Sequence, residues 1–315
     1  MRKNIDLILN TNADKKIQKN SILTYSQRLE WIKKKLKIKT DDIGSLLEND
    51  KKIIETIEAS DLKVSTKKLT FIVLANLSKK LKLEKEYNNY NEQATKYKDQ
   101  DNFIRRENKV SDDRKDKWAS WKEIESVFDM IDETKDWKNA QDKLIVGLYT
   151  LCEYTLRLDW ADVKIESKYN KNRKYNYVVI DSKGDYNFYL NVYKTQSKYG
   201  SIKIKLDNPK LKKLLDYWFD TYKYKYLLVS YKDSSNPLNE MGLSKRIQLI
   251  FNKYLNKPIS NQILREIKES QNIYGDKNYA NMTLNEKYAL HSKLLHSFST
   301  ANEYSKRDPN EVIEQ

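Results

Sequence analysis

The strongest signal in the chain is apolar spacing of three and four residues. Ile22, Tyr25, Leu29, Ile32 and Leu36 share one face of a helix that starts at Ser21. Leu46, Leu47, Ile53, Ile54 and Ile57 mark a second helix. Ser65–Thr66 open a third, which carries Leu69, Ile72, Val73 and Leu77. Residues 1–20 show no sustained period and read as a polar arm. Residues 84–117 are polar and weakly periodic, and a linker is expected over 105–117. Helical spacing returns over Trp118–Ile131 and Asp136–Asp159, where Trp137, Ala140, Leu144, Leu148, Leu151 and Cys152 form one face.

At Val163 the period shortens to that of strands. VKI, YNYVVID, FYLNVYKT and SIKIKL are short, β-branched and aromatic, with SKGD and QSKYG as turns between them. They predict a small antiparallel sheet of three or four strands. Helices resume at Pro209 and follow over Leu243–Leu255, Ser260–Ser270, Thr283–Leu295 and Ser299–Arg307. Strands confined to one block between helices predict an α+β fold, mostly helical, rather than a doubly wound sheet. The expected organisation is an arm (1–20), a helical domain (21–104), the linker (105–117) and a second domain (118–315).

Charge changes this picture. With 60 Lys+Arg against 45 Asp+Glu, the formal charge is +15. A folded protein this basic favours polyanions, and nucleic acid leads because each neutralised phosphate releases a counterion. Part of the lysine excess goes with a general skew to Lys, Asn, Tyr and Ile and away from Gly and Pro, as AT-rich codons produce. No apolar run approaches the ~18 residues of a membrane span. The start, MRKNIDLILNTNADKK, lacks a signal-peptide core, so an intracellular, soluble protein with no membrane partner is expected. The single cysteine, Cys152, excludes an internal disulfide and a multi-cysteine zinc site, and its apolar face makes it a core thiol.

Two rarities bear on chemistry. The only histidines, His291 and His296, lie in YALHSKLLHSFSTANEYSKR. Their spacing of five puts them on different helix faces with no supporting ligands, which argues against zinc. Lysine is the default base here, so an arginine among apolar residues needs a reason. Arg157 closes LIVGLYTLCEYTLRLDW, and Arg265 sits inside SNQILREI. Arginine offers phosphate a planar fork that lysine cannot. The competing reading of each is a structural salt bridge, for Arg157 with Asp159 or Asp162.

Together, an arginine ending an apolar helix, a lysine in a β-turn, a second arginine and then HS…TA…Y resemble the tyrosine recombinases, or phage-type integrases. The divergent members of virophages and large DNA viruses are the most similar. LRLDWADVKI resembles the first-arginine box of that subgroup, and LHSFSTANEYSK resembles the box in which a histidine precedes the nucleophilic tyrosine. The N-terminal helices, with ILTY and STKK, are similar to the family's core-binding domain. The resemblance implies a helical, SAM-like core-binding domain followed by a catalytic domain with a small antiparallel sheet. It implies Tyr304 as nucleophile, forming a 3′-phosphotyrosine on duplex DNA. Arg157 and Arg265 would hold the non-bridging oxygens, Lys194 would protonate the 5′-oxygen with Lys198 as the other candidate, and His296 would hydrogen-bond the scissile phosphate. It implies no metal, cofactor or ATP, a tetramer on DNA, and, for a viral member, the host nucleus or a cytoplasmic virus factory.

The chain also departs from the pattern. Gln262 and Glu266 stand where many members carry histidine, the glycine before the first arginine is missing, and the usual acidic residue is shifted to Asp159. Glutamine cannot act as an acid or base, and a carboxylate beside the phosphate repels it unless it points away. Three alternatives therefore stay open: a catalytically inactive or weakened DNA-binding protein of this fold, a type IB topoisomerase, and a reader of other anionic surfaces.

Overall fold

The computed structural model describes residues 1–10, 17, 19–275, 278–295 and 298–306. They divide into two compact units, Met1–Glu107 and Asn108–Gln315. The fold is α+β and mostly helical.

The first unit holds α1 (Arg2–Asn10), α2 (Lys19–Leu36), α3 (Ile43–Leu47), α4 (Asp50–Glu58), α5 (Val64–Lys80) and α6 (Glu84–Arg106). Its core gathers Leu29, Ile32, Ile53, Ile57, Phe71 and Leu74. The stretch expected as a polar arm contains α1. Ile5 and Leu9, one turn apart, are buried in this core, and two such residues are too few to register as a period. The single helix expected over Leu46–Ile57 is two, because Asp42 caps α3 by accepting from the Ser45 amide at 2.8 Å and the chain restarts at Asp50. The polar stretch after residue 84 is mostly α6. Its buried positions are Glu86, Tyr90, Ala94, Tyr97 and Asp101, and Tyr97 stacks on Phe71 of α5 at 5.5 Å.

The second unit opens with α7 (Asp112–Lys115), α8 (Trp121–Met130) and α9 (Trp137–Thr150). Ser120 and Glu123 form a reciprocal capping box on α8, and Asp136 caps α9. The helices pack closely at Gly147, where a β-carbon would stand 2.9 Å from Phe128 and 3.2 Å from Leu211. The sheet follows: β1 (Lys164–Glu166), β2 (Tyr177–Ile180), β3 (Tyr186–Leu190), the short helix α10 (Gln196–Tyr199) and β4 (Ile202–Lys205). Strand order is β1-β2-β3-β4. The sheet is mixed, not antiparallel: β1 runs parallel to β2, because residues 167–176 cross back instead of turning as a hairpin. Val178, Phe188 and Ile204 face the core, and Trp160 packs on Phe188 at 4.5 Å.

α11 (Pro209–Tyr222), α12 (Glu240–Leu255), α13 (Asn261–Ser270), a π-helical turn (Gln271–Gly275), a 3₁₀ turn (Tyr279–Asn281), α14 (Leu284–Ser292) and α15 (Phe298–Tyr304) complete the unit. Arg246 of α12 is spent on structure. It forms a fork on the buried Asp142 of α9 and stacks over Tyr231 with its guanidinium 4.1 Å from the ring centre.

Candidate active site

Arg157 lies beyond a helix rather than at its end. α9 stops at Thr150, and residues 151–160 form a half-buried loop. The reason lies in the carbonyls. In a helix those of Thr155, Leu156 and Arg157 would be consumed by backbone amides four residues on. Here side chains take them. Arg265 Nε donates to Thr155 O at 3.1 Å, and Asn261 Nδ2 donates to Leu156 O at 3.3 Å and to Arg157 O at 3.0 Å. Tyr149 Oη also donates to Arg157 O. Asp159 closes the loop by accepting from the Arg157 amide at 3.1 Å. Burial pushes the Asp159 carboxyl up, against the pull of that amide and of Arg157 and Arg265.

Arg265 is the centre of the cluster. It is 1% exposed on α13, whose first turn is capped by Ser260. Its Nε holds Thr155 O, and its Nη2 holds Leu294 O. The guanidinium carbon stands 5.4 Å from the centre of the Tyr304 ring. Burial and the charge of Arg157 bring its pKa down to about 10, opposed by Tyr304, Asp159 and Tyr149. Residues distant in sequence thus share one electrostatic environment: Arg157, Asp159, Arg265 and Tyr304. Tyr304 reaches it because α15 packs against α13 and α14, with Ala301 fully buried and the Lys306 amide bonded to Ser270 Oγ at 2.7 Å.

α14 ends at Ser292, short of the expected Leu295. Its Thr283–Glu286 capping box fixes the start. The backbone then leaves the helix so that Leu294 O meets Arg265, while Leu295 adopts a left-handed φ of 54° and its carbonyl accepts from Thr195 Oγ1 at 3.2 Å. That last bond ties the β3–β4 connection to the segment leading into α15. Lys194 is the exposed neighbour of Thr195, in the turn after β3, and Lys198 lies on α10. Asn176 joins this connection to the Arg157 loop. Its Oδ1 accepts from the Asn191 and Val192 amides at 2.9 and 2.8 Å, and its Nδ2 donates to Val192 O at 3.0 Å and Asp159 O at 3.4 Å.

Glu266 is buried and engaged. Arg114 Nη1 donates to both of its oxygens at 2.9 and 2.7 Å, and Gln262 Nε2 donates to one at 3.0 Å. The carboxylate expected to repel a phosphate is therefore neutralised from α7. His296 lies outside the described residues. His291 is buried on α14, with Nδ1 against Glu269 and Nε2 2.9 Å from Tyr279 Oη. The stabilising partners Tyr149, Asn176, Asn261 and Arg114 carry no sequence signal, since each acts on a residue brought near only by folding. Among the described residues no three His, Cys, Asp or Glu side chains gather as metal ligands, and no helix is long and apolar enough to cross a membrane.

No family profile matches the chain, and no curated protein is similar to it. Among solved structures it is similar to the crystal structure of XerA recombinase, at 12% identity and a TM-score of 0.38, over 98% of this chain and 95% of that one.

Proposed function

We propose that the chain is a DNA strand transferase of the tyrosine-recombinase type, an integrase of a virus or mobile element. The observation that carries the reading is the clustering of Arg157, Arg265 and Tyr304, with the Arg265 guanidinium 5.4 Å from the Tyr304 ring. A desolvated arginine beside a phenol, with the charge of a second arginine felt at the first, suits a phosphorus centre that gains negative charge as it is attacked. Tyr304 Oη bonds to phosphorus, the bond to the 5′-oxygen breaks, and that oxygen leaves as a hydroxyl with a proton from Lys194. Over the whole step the phenol's proton replaces the lost phosphorus on the 5′-oxygen. One ester is exchanged for another, so religation reverses the step without ATP. Asn176 supports the lysine's part by joining its loop to that of Arg157. His296 completes the set on the resemblance alone. Exchange between two duplexes calls for four copies on DNA, in the nucleus or a virus factory of the host.

A second reading, a DNA-binding protein of the same fold that does not cleave, is favoured by Gln262, which donates to Glu266, and by Glu266, which also accepts from Arg114. A nicked suicide duplex separates the two. Wild-type protein is expected to become covalently attached through Tyr304; steeply salt-dependent binding with no adduct supports the second reading instead. Relaxation of a supercoiled plasmid by monomeric protein would point to a topoisomerase.

A further inference from the structure

We infer that the outer face of the sheet is a stacking platform for unpaired nucleotides. The register sets Lys164, Tyr177, Tyr189 and Lys203 in one row across all four strands. Paired residues project to the same side, opposite the buried Val178, Phe188 and Ile204. Tyr177 and Tyr189 stack at 5.0 Å with planes 17° apart, and Tyr169 lies on Tyr189 at 4.8 Å. Lysines flank the rings: Lys203 Nζ is 6.0 Å from the Tyr189 ring centre, and Lys164 Nζ is 4.3 Å from that of Tyr175.

The stack ends in an exposed ring. Tyr169 is 57% exposed on the crossing loop, which Tyr177 Oη holds to the sheet by bonding both the amide and the carbonyl of Asn170 at 3.0 Å. Residues 164–176 carry five basic side chains against one carboxylate, Glu166, and that carboxylate is bonded by Arg173 and Tyr175. Tyr177 is fully buried beneath the stack, so the accessible ring is Tyr169; a pre-oriented aromatic ring in so basic a segment suits a base stacked on it with its phosphates on the cations. The base must be unpaired, because in a duplex its faces are covered by its neighbours. None of the platform residues is assigned a part in strand cleavage, so the two readings fail separately.

The test is binding of the full chain to a single-stranded oligonucleotide carrying 2-aminopurine, followed by anisotropy and by quenching of the base. The wild type is expected to quench it. Tyr169→Ala is expected to abolish the quench and weaken binding roughly 5- to 100-fold, the span of losing one stacked base. Tyr169→Phe should restore both, and Lys203→Gln should lower the salt slope by about one. Equal binding and quenching by wild type and Tyr169→Ala would overturn the inference. So would loss of the quench to polyglutamate at equal charge.

Discussion

Replacing Arg265 separates its two possible uses, as a tie in the core and as a grip on phosphate. As a tie it makes two bonds from a charged donor to carbonyls, each worth about 1.5–3 kcal/mol. Against this stands the cost of keeping the charge where it is 1% exposed. The fall from 12.5 to about 10 corresponds to about 3 kcal/mol at 1.36 kcal/mol per unit. Two such bonds make about 3–6 kcal/mol, so the tie outweighs the cost by about 0–3 kcal/mol. Arg265→Met, of similar length and apolar, leaves the Thr155 and Leu294 carbonyls without this donor and is expected to lower the unfolding free energy by no more than about 3 kcal/mol. A lost donor to the developing oxyanion should instead slow adduct formation by about 10²–10³-fold. Arg265→Lys should be nearly as slow, because lysine keeps the charge but lacks the fork. Urea unfolding and single-turnover trapping on a suicide duplex measure the two effects on the same protein. A loss of stability well beyond about 3 kcal/mol with adduct formation intact would refute the reasoning and leave Arg265 a core tie.

Three further outcomes follow from other parts of the molecule. Asn176→Ala should slow cleavage about 10- to 100-fold, part of what a general acid supplies, by freeing the Lys194 turn from the Arg157 loop. The defect should shrink on a 5′-bridging phosphorothiolate substrate, whose leaving group needs no acid; an equal defect on both substrates would rule out action through Lys194. Burial pushes the Cys152 thiol up to about 12, so native protein should alkylate about 1000-fold more slowly than the denatured chain, and equal rates would contradict its place in the core. The Thr283 amide and then its hydroxyl hold the Glu286 carboxyl below its ordinary value of 4.5. That stabilisation is present above pH 4.5 and is lost as pH falls through the lowered value. Hydrogen-exchange protection of α14 should accordingly fall on acidification and be pH-independent over this range in Glu286→Gln.

Much of the fold was legible from local chemistry. The starts of α9, α13 and α14 follow from Asp136, Ser260 and Thr283, and β-branched and aromatic runs located the strands; α8 starts at Trp121 behind Ser120, later than the expected Trp118. What local pattern does not encode is which donor reaches which carbonyl. The run through Leu151 has helical spacing, yet its helix stops at Thr150, and in the loop that follows Arg265 and Asn261 claim the Thr155 and Arg157 carbonyls from more than a hundred residues away. The parallel pairing of β1 depends on a loop whose path Tyr177 sets through Asn170. At the site, Arg157 and Arg265 stood out because lysine is the default base, and Tyr304 because of its box. Glu266 reads as a repulsive neighbour until Arg114, 152 residues earlier, is placed beside it.

The central claim is that Tyr304 is the nucleophile of a cluster built around Arg265. Incubation with a nicked suicide duplex, digestion of the trapped species and mass spectrometry of the modified peptide test it most directly. The expected result is a nucleotide attached to Tyr304 in wild-type protein and no adduct in Tyr304→Phe. An adduct on another tyrosine, or one that persists in Tyr304→Phe, would contradict it.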